Sequence, residues 1–121
     1  MSYTLNISGK EWPTVRNPTE TDIRATVASL TDDFEPIFFI LRRDARSMIQ
    51  VTYMAPDRFV IQYQEGGEDD LYQATKQFSA EAAVELSLAY LAGTPDWKKL
   101  AEWSEMKSSG FMEWLRKLLG L

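Results

Sequence analysis

The chain has 121 residues, of which 45% are hydrophobic and 26% charged, and it contains neither cysteine nor histidine. This composition is typical of a globular domain, and it excludes extended disorder, disulfides, thiolate metal sites and Ser-His or Cys-His catalysis. The net charge of −5 argues against direct binding to nucleic acid, which needs clustered Lys and Arg. The sequence has neither a signal-peptide pattern nor a run of about eighteen apolar residues, so we expect a cytoplasmic protein without membrane attachment.

The N-terminal third predicts a strand followed by a helix. Tyr3, Leu5 and Ile7 alternate with polar residues, as a half-buried strand requires. A helix is predicted near 19–31, with Thr19 as its N-cap and Asp22 in the position of a capping box.

The middle of the chain is rich in predicted strands. The apolar run 34–41 is too short for a helix and predicts a central strand. Residues 47–54 and 58–64 alternate in the same way and are joined by a short turn at 55–57, which predicts a hairpin. A further strand is expected at 71–78.

A second helix is predicted near 80–92. Ser79 can cap its first turn, Glu81 places a negative charge against its positive end, and Gly93 supplies the left-handed residue that ends it. The predicted fold is therefore α+β: a two-layer sandwich in which an antiparallel β-meander is covered on one face by two helices. These elements form one domain, residues 1–107.

The remaining segment, 108–121, predicts a C-terminal amphipathic helix. Phe111, Leu115 and Leu118 fall on one face, widened by neighbouring apolar residues. So short a helix is marginal in water and must dock on something. The candidates are the chain's own domain, a second copy in a homodimer, a protein partner and, last, a membrane surface.

Two charged clusters are candidate sites. Glu65, Glu68, Asp69 and Asp70 could act as paired carboxylates or hold calcium, but a solvated turn is the favoured interpretation. The run "RRDAR" at 42–46 could bind an anion, and a solvated hairpin tip is favoured instead. We therefore predict no catalytic residue, no metal site and no cofactor.

Four tryptophans are many for this length. Trp12 and Trp97 are expected to pack at the edges of the hydrophobic layer. Trp103 and Trp114 fall in a tail that the predicted core does not require, so packing and partner binding are equally good interpretations of them.

The order of these features resembles the Imm1-type immunity proteins of bacterial polymorphic toxin systems. The resemblance covers roughly residues 12–97: an early tryptophan, a capped helix, hairpin strands, the helix "SAEAAVELSLAYLAG" and the closing "TPDW". It does not extend to the tail beyond Trp97. It implies an α+β domain that binds a cognate toxin tightly and blocks the toxin's active site or substrate path without catalysis.

An acidic immunity protein is expected to meet a basic toxin surface, such as that of a nuclease or another nucleic-acid-directed enzyme. The residues predicted to bind it are the two densest acidic patches and then the tail tryptophans: Glu65, Glu68, Asp69 and Asp70; Asp32, Asp33 and Glu35; Trp103 and Trp114. The alternative is a small acidic secretion chaperone, or another homodimeric interaction protein. An enzyme that uses carboxylates alone ranks third.

Overall fold

The computed structural model describes residues 3–8, 14–30, 37–66 and 70–106. Within them the chain forms one seven-stranded antiparallel sheet with two α-helices and a 3₁₀ helix, which confirms the predicted α+β class and the antiparallel sheet. The strands are β1 Thr4–Ile7, β2 Val15–Arg16, β3 Phe38–Asp44, β4 Ser47–Ala55, β5 Arg58–Glu65, β6 Leu71–Ala74 and β7 Trp103–Met106. The helices are α1 Glu20–Ser29, α2 Ala80–Leu91 and the 3₁₀ helix Pro95–Leu100.

The strand order in the sheet is β2-β1-β3-β4-β5-β6-β7. The longest strands, β3, β4 and β5, occupy the centre and follow one another in sequence as two hairpins. The short strands β2 and β7 form the two edges. Short edge strands limit unwanted pairing with other chains.

Both α-helices begin where their capping residues predict. The Thr19 hydroxyl accepts a hydrogen bond from the Asp22 amide at 3.2 Å, and the Asp22 carboxylate accepts one from the Thr19 amide at 2.8 Å, which completes the capping box. The Ser79 hydroxyl accepts from the Ala82 amide at 3.1 Å. Helix α2 is followed by Gly93 at φ +83°, a left-handed conformation that favours glycine.

One face of the sheet, here called the first face, carries the hydrophobic core. The register places Phe39, Val51 and Ile61 side by side on β3, β4 and β5, and all three are fully buried. The buried apolar residues of α1 and α2 belong to the same cluster as the first-face side chains, and so does Trp97 of the 3₁₀ helix. This burial is the main source of stability.

The opposite face, here called the second face, is also buried over the central strands. Its buried side chains are more polar: Met48, Gln50 and Thr52 on β4, and Val60 and Gln62 on β5. None of the five belongs to the first-face cluster. The sequence pattern predicts one buried face, and the structure has buried residues on both.

Several predicted boundaries are wrong. Strand β3 runs on to Asp44, so Arg42 and Arg43 lie in a strand and only Ala45 and Arg46 form the hairpin turn. Strand β6 ends at Ala74, although Phe78 still pairs with Phe59 as an isolated bridge.

Two strands are absent from the sequence prediction. Strand β2 has only two residues, and β7 lies in what the sequence pattern assigns to a tail beyond the core. The beginning of the predicted strand 34–41, the tryptophan Trp12 and the predicted C-terminal helix 108–121 lie outside the described residues.

Candidate binding surface

Two turns and the 3₁₀ helix meet at one end of the sheet. Ser47 pairs with Glu65 across β4 and β5, and the Gly66 amide donates to the Arg46 carbonyl at 3.0 Å. The Glu65 amide donates to the Asp70 carbonyl at 3.1 Å. The β3–β4 turn and the start of the β5–β6 connection are therefore held side by side by backbone hydrogen bonds.

Glycine is required where these turns meet. Gly66 has φ +100°, and a Cβ atom built on it would lie 3.1 Å from the Asp70 carboxylate. A larger residue would strain the backbone and press on that carboxylate. Gly66 thus fixes the path of the chain at this end.

The ionised side chains that gather here are called the charged end: Arg43, Asp44, Arg46, Glu65, Asp70 and Lys98. Arg46 and Asp70 are exposed, while the side chain of Arg43 is 32% exposed. Three positive and three negative groups therefore face solvent or lie at its edge. This is a mixed surface and not the purely acidic one that the sequence pattern predicts.

Glu65 differs most from the prediction. It is the last residue of β5 and forms an ion pair with Lys98, with Oε1 and Nζ 2.9 Å apart. The Lys98 ammonium also lies 5.5 Å from the ring centroid of Tyr63 and 5.6 Å from that of Trp97. Glu65 is therefore a paired carboxylate on a strand and not a free acid in an exposed loop.

The run "RRDAR" forms an ordered hairpin turn. The Asp44 carboxylate accepts a hydrogen bond from the Arg46 amide at 2.8 Å, and this bond is the main reason why the pKa of Asp44 is lowered. Arg43 lies 3.6 Å from the same carboxylate and donates to the Ser47 hydroxyl at 3.1 Å. The Arg46 side chain remains exposed.

Aromatic rings pack beneath the charged end and hold it in place. The Tyr63 ring stacks on Tyr72 at 4.8 Å and meets Trp97 and Trp103 edge to face at 4.9 and 4.7 Å between centroids. Tyr90 packs edge to face on Trp97 at 5.3 Å. Such offset and edge-to-face contacts add stabilisation beyond the buried area.

Two tyrosine hydroxyls in this aromatic group have raised pKa values. Burial raises the pKa of Tyr90 well above its usual value and raises that of Tyr63 as well. Within the described part of the chain, the Tyr90 hydroxyl is buried and has no hydrogen-bond partner. A phenol with a raised pKa stays protonated at neutral pH, so it is a poor base or nucleophile.

Trp103 belongs to the sheet. It lies in β7 opposite Ala74, is half-buried, and its indole N–H donates to the Lys98 carbonyl at 2.9 Å. Its contacts thus tie β7 to the 3₁₀ helix. Trp97 is buried in the hydrophobic cluster, and its predicted packing role is confirmed.

The structure tests the remaining predicted site residues only in part. Glu65, Asp70 and Trp103 lie near one another through the contacts given above. The others lie outside the described residues: Glu68, Asp69, Asp32, Asp33, Glu35 and Trp114. Sequence reasoning missed Lys98, because nothing in the local pattern marks a partner 33 positions from Glu65.

An open groove of about 470 Å³ lies beside the start of α2. Residues 75–79 form one wall, and residues 99–102 form the other. Leu100 in this groove is 52% exposed, which makes it the large hydrophobic side chain most open to solvent among the described residues. The groove is distinct from the charged end.

Among the described residues, no group of three His, Cys, Asp or Glu side chains is arranged to hold a metal ion. No helix in the same ranges is long and apolar enough to cross a membrane. Comparisons with family models, with curated proteins and with solved structures found no match to this chain.

Proposed function

We propose that this protein is a non-enzymatic binding protein, and that it neutralises a cognate bacterial toxin as an immunity protein by tight binding through the charged end. The observation that carries the proposal is the arrangement of this surface. Exposed Arg46 and Asp70, with half-exposed Arg43, project from two turns joined by the hydrogen bond from Gly66 to Arg46. The aromatic rings below hold these turns in position.

A surface of this kind suits tight binding for physical reasons. Binding loses affinity when loops must be ordered at the interface, and turns fixed by backbone hydrogen bonds avoid much of that cost. Arginine, which this surface presents at Arg43 and Arg46, is also among the residues most enriched at interaction hot spots. Charges of both signs add partner specificity and speed up association.

The proposed partner is a toxin with a basic cleft, such as a nuclease or another nucleic-acid-directed enzyme. The net charge of −5 favours such a partner at long range. Because Lys98 compensates Glu65, the acidic contribution of the β5–β6 connection rests on Glu68, Asp69 and Asp70. The patch Asp32, Asp33 and Glu35 remains a second proposed contact.

The proposal includes the finer architecture expected from the sequence. The two helices cover the first face as the second layer of a sandwich, and residues 108–121 form a C-terminal helix. The protein acts in the cytoplasm, needs no cofactor and binds neither nucleic acid nor membrane directly.

Growth rescue tests the proposal. Proteins that co-purify with this chain are identified by mass spectrometry, and a toxin found among them is expressed in bacteria with this protein or a variant while growth and complex formation are measured. Asp70→Lys should weaken binding at least tenfold, because it places a positive charge opposite the basic cleft of the toxin. Glu85→Lys is the matched control, because Glu85 is an exposed carboxylate on α2.

Failure of the wild-type protein to rescue growth or to bind the toxin contradicts the immunity function. Equal loss of binding in Asp70→Lys and Glu85→Lys would contradict the assignment to the charged end while leaving the function standing. The two parts of the proposal are therefore tested separately.

The open groove favours a second candidate, a small acidic secretion chaperone that acts as a homodimer. An extended client segment could place an apolar side chain against the exposed Leu100. Leu100→Ser should then reduce client binding and leave toxin neutralisation unchanged. Gene context distinguishes the candidates as well, because a chaperone gene is expected beside an effector gene and secretion machinery.

A further inference from the structure

Three glutamines form a row across the second face. The register places Gln50 of β4 opposite Gln62 of β5, and Gln62 opposite Gln73 of β6. The side-chain nitrogen Nε2 of Gln62 donates to the side-chain oxygen Oε1 of Gln73 at 3.0 Å and lies 3.7 Å from the Met106 sulfur. The Gln62 carbonyl oxygen is buried and lacks a hydrogen-bond partner in the described part of the chain.

The side chains at the centre of the second face are buried more deeply than an open sheet face allows. Gln62 and Thr52 are 0% exposed and Gln50 is 2% exposed. Side chains on a sheet stand roughly perpendicular to it, so the open face of an antiparallel sheet is solvated unless something packs on it. Burial this complete at the centre of a face therefore means that another part of the molecule lies over it.

The described helices do not supply that cover. Both α-helices and the 3₁₀ helix place their buried apolar side chains in the first-face cluster. At the margins of the second face the residues are exposed, unlike those at its centre: Asn6 lies on β1 and Ser104 on β7. The cover is thus centred over β4 and β5.

The C-terminal segment has the right starting point and length. Strand β7 ends at Met106, whose sulfur is beside Gln62 on this face, and the chain continues from there through residues 107–121. Three strand spacings of about 4.8 Å separate β7 from β4, a distance of about 14 Å. A helix of about ten residues spans roughly 15 Å, which is enough to cross these strands.

The sequence of the segment also fits a partly apolar surface. Phe111, Leu115 and Leu118 repeat at helical spacing, while Glu113 and Lys117 are polar. Across the second face, Met48 and Val60 offer apolar contact beside the glutamine row. An amphipathic helix can bury its apolar stripe there and leave its charges in water.

We propose that residues 107–121 pack across the second face of their own chain, over β4 and β5. The segment acts as a strap that removes this face from the surface open to partners. The inference does not depend on the identity of the toxin, since it rests on the burial of Gln62 and Thr52. It leaves the charged end accessible to partners.

Thiol labelling of the full-length chain tests the proposal. The protein has no cysteine, so Thr52→Cys introduces one thiol beneath the proposed strap, and Asn6→Cys introduces one at the exposed margin of the same face. The first should react with a small maleimide at least about 100-fold more slowly, because reaction requires the strap to open. Equal rates would contradict the proposal.

A second substitution identifies what provides the protection. Leu115→Lys with Leu118→Lys places charges on the apolar stripe, and in this background the Thr52→Cys thiol should react within about threefold of the Asn6→Cys thiol. Glu113→Lys, on the polar side, is the matched control and should keep the thiol protected. The near-ultraviolet circular dichroism of the aromatic cluster reports whether the first-face core remains folded. Protection that persists in the double variant means that another segment covers the face, and overturns the proposal.

A paramagnetic label distinguishes the same chain from a second copy and needs no destabilising change. A nitroxide attached to Ser109→Cys should broaden the side-chain amide signals of Gln50 and Gln62 when the nitroxide and the isotope label are in the same chain. Mixing nitroxide-labelled chains with separate isotope-labelled chains should leave these signals sharp. Broadening only in the mixed sample would show that a second copy provides the strap, and no broadening in either sample would show that the segment lies elsewhere; each result overturns the proposal.

Discussion

Ile61 and Gln62 are neighbours on β5, point to opposite faces of the sheet and are both 0% exposed. Ile61 packs in a cluster of aliphatic and aromatic side chains to which both α-helices contribute. Gln62 packs in a row of amides, and one of its polar atoms has no partner among the described residues. Burial of apolar area stabilises the first face, whereas each buried amide on the second face costs free energy unless it is hydrogen-bonded.

The comparison indicates different roles for the two faces. The first face supplies most of the stability, because its packing is apolar and continuous. A segment that packs on the second face buries less apolar area there and is therefore less strongly stabilised. Polar contacts with the face specify its position. Substitutions at matched positions on the two faces can therefore test this division.

The largest expected difference is between Ile61→Ala and Val60→Ala. Ile61→Ala should lower the free energy of unfolding by about 3–4 kcal/mol, as a cavity forms in a tightly packed core. Val60→Ala, on the adjacent second-face position, should cost about 1.5 kcal/mol, since it removes two carbons at about 0.8 kcal/mol each. Urea unfolding measures both. A cost for Val60→Ala equal to that for Ile61→Ala would contradict the division.

The helices on the first-face side provide the next test. Thr19→Ala removes the hydroxyl that accepts from the Asp22 amide and donates to the Asp22 carboxylate, and it should destabilise the protein by about 1–2 kcal/mol. Thr21→Ala is the control, because Thr21 is exposed within α1, where alanine favours the helix. Thermal unfolding of the two variants makes the comparison. Equal melting temperatures would mean that the start of α1 contributes little to the core.

Tyr90→Phe removes a buried hydroxyl without a described partner and should raise the free energy of unfolding by about 1 kcal/mol. Its effect should also depend on pH. Because the pKa of Tyr90 is raised in the folded state, stability is full below the usual tyrosine pKa of 10.0 and falls as the pH rises above it.

Unfolding measured from pH 8 to pH 11 checks the alkaline effect. Tyr90→Phe should remove much of the alkaline loss of stability and leave the part due to Tyr63, whose pKa is also raised. An unchanged pH profile would contradict the burial of the Tyr90 hydroxyl.

The smallest expected effect concerns the Glu65–Lys98 pair at the charged end. The two side chains are 39% and 36% exposed, so their coupling should be about 0.5 kcal/mol. A double-mutant cycle with Glu65→Gln and Lys98→Met, measured at low and high salt, gives this value. A coupling above about 2 kcal/mol would indicate a desolvated pair instead of a surface one.

The sequence predicts the structure correctly where that structure depends on residues close together in the chain. The alternation in β4 and β5, the caps Thr19 and Ser79 and the stop at Gly93 are all predicted correctly. Each depends on near neighbours in the chain, so the pattern contains the needed information.

Other features depend on contacts between distant residues. The sequence of β7, "WSEM", has too few apolar positions to indicate a strand, and only pairing with β6 makes it one. Gln50, Thr52 and Gln62 are typical of a solvated face, so their burial could not be read from the alternation. The sequence predicts an acidic loop from Glu65 to Asp70, because Lys98, which pairs with Glu65 in the structure, lies 33 positions away in the chain.

The pH dependence of stability in the Gln62→Glu variant tests most directly whether the second face is covered. If the second face is covered, the introduced carboxyl is desolvated and its pKa rises above the usual glutamate value of about 4.3. Both states are then protonated near pH 3 and the variant should match the parent, whereas near pH 7 it should be less stable by about 2–4 kcal/mol. Gln77→Glu, at an exposed position, is the control and should track the parent at both pH values. If the stability of Gln62→Glu follows that of Gln77→Glu at both pH values, the second face is open to water, which contradicts the proposed cover of this face.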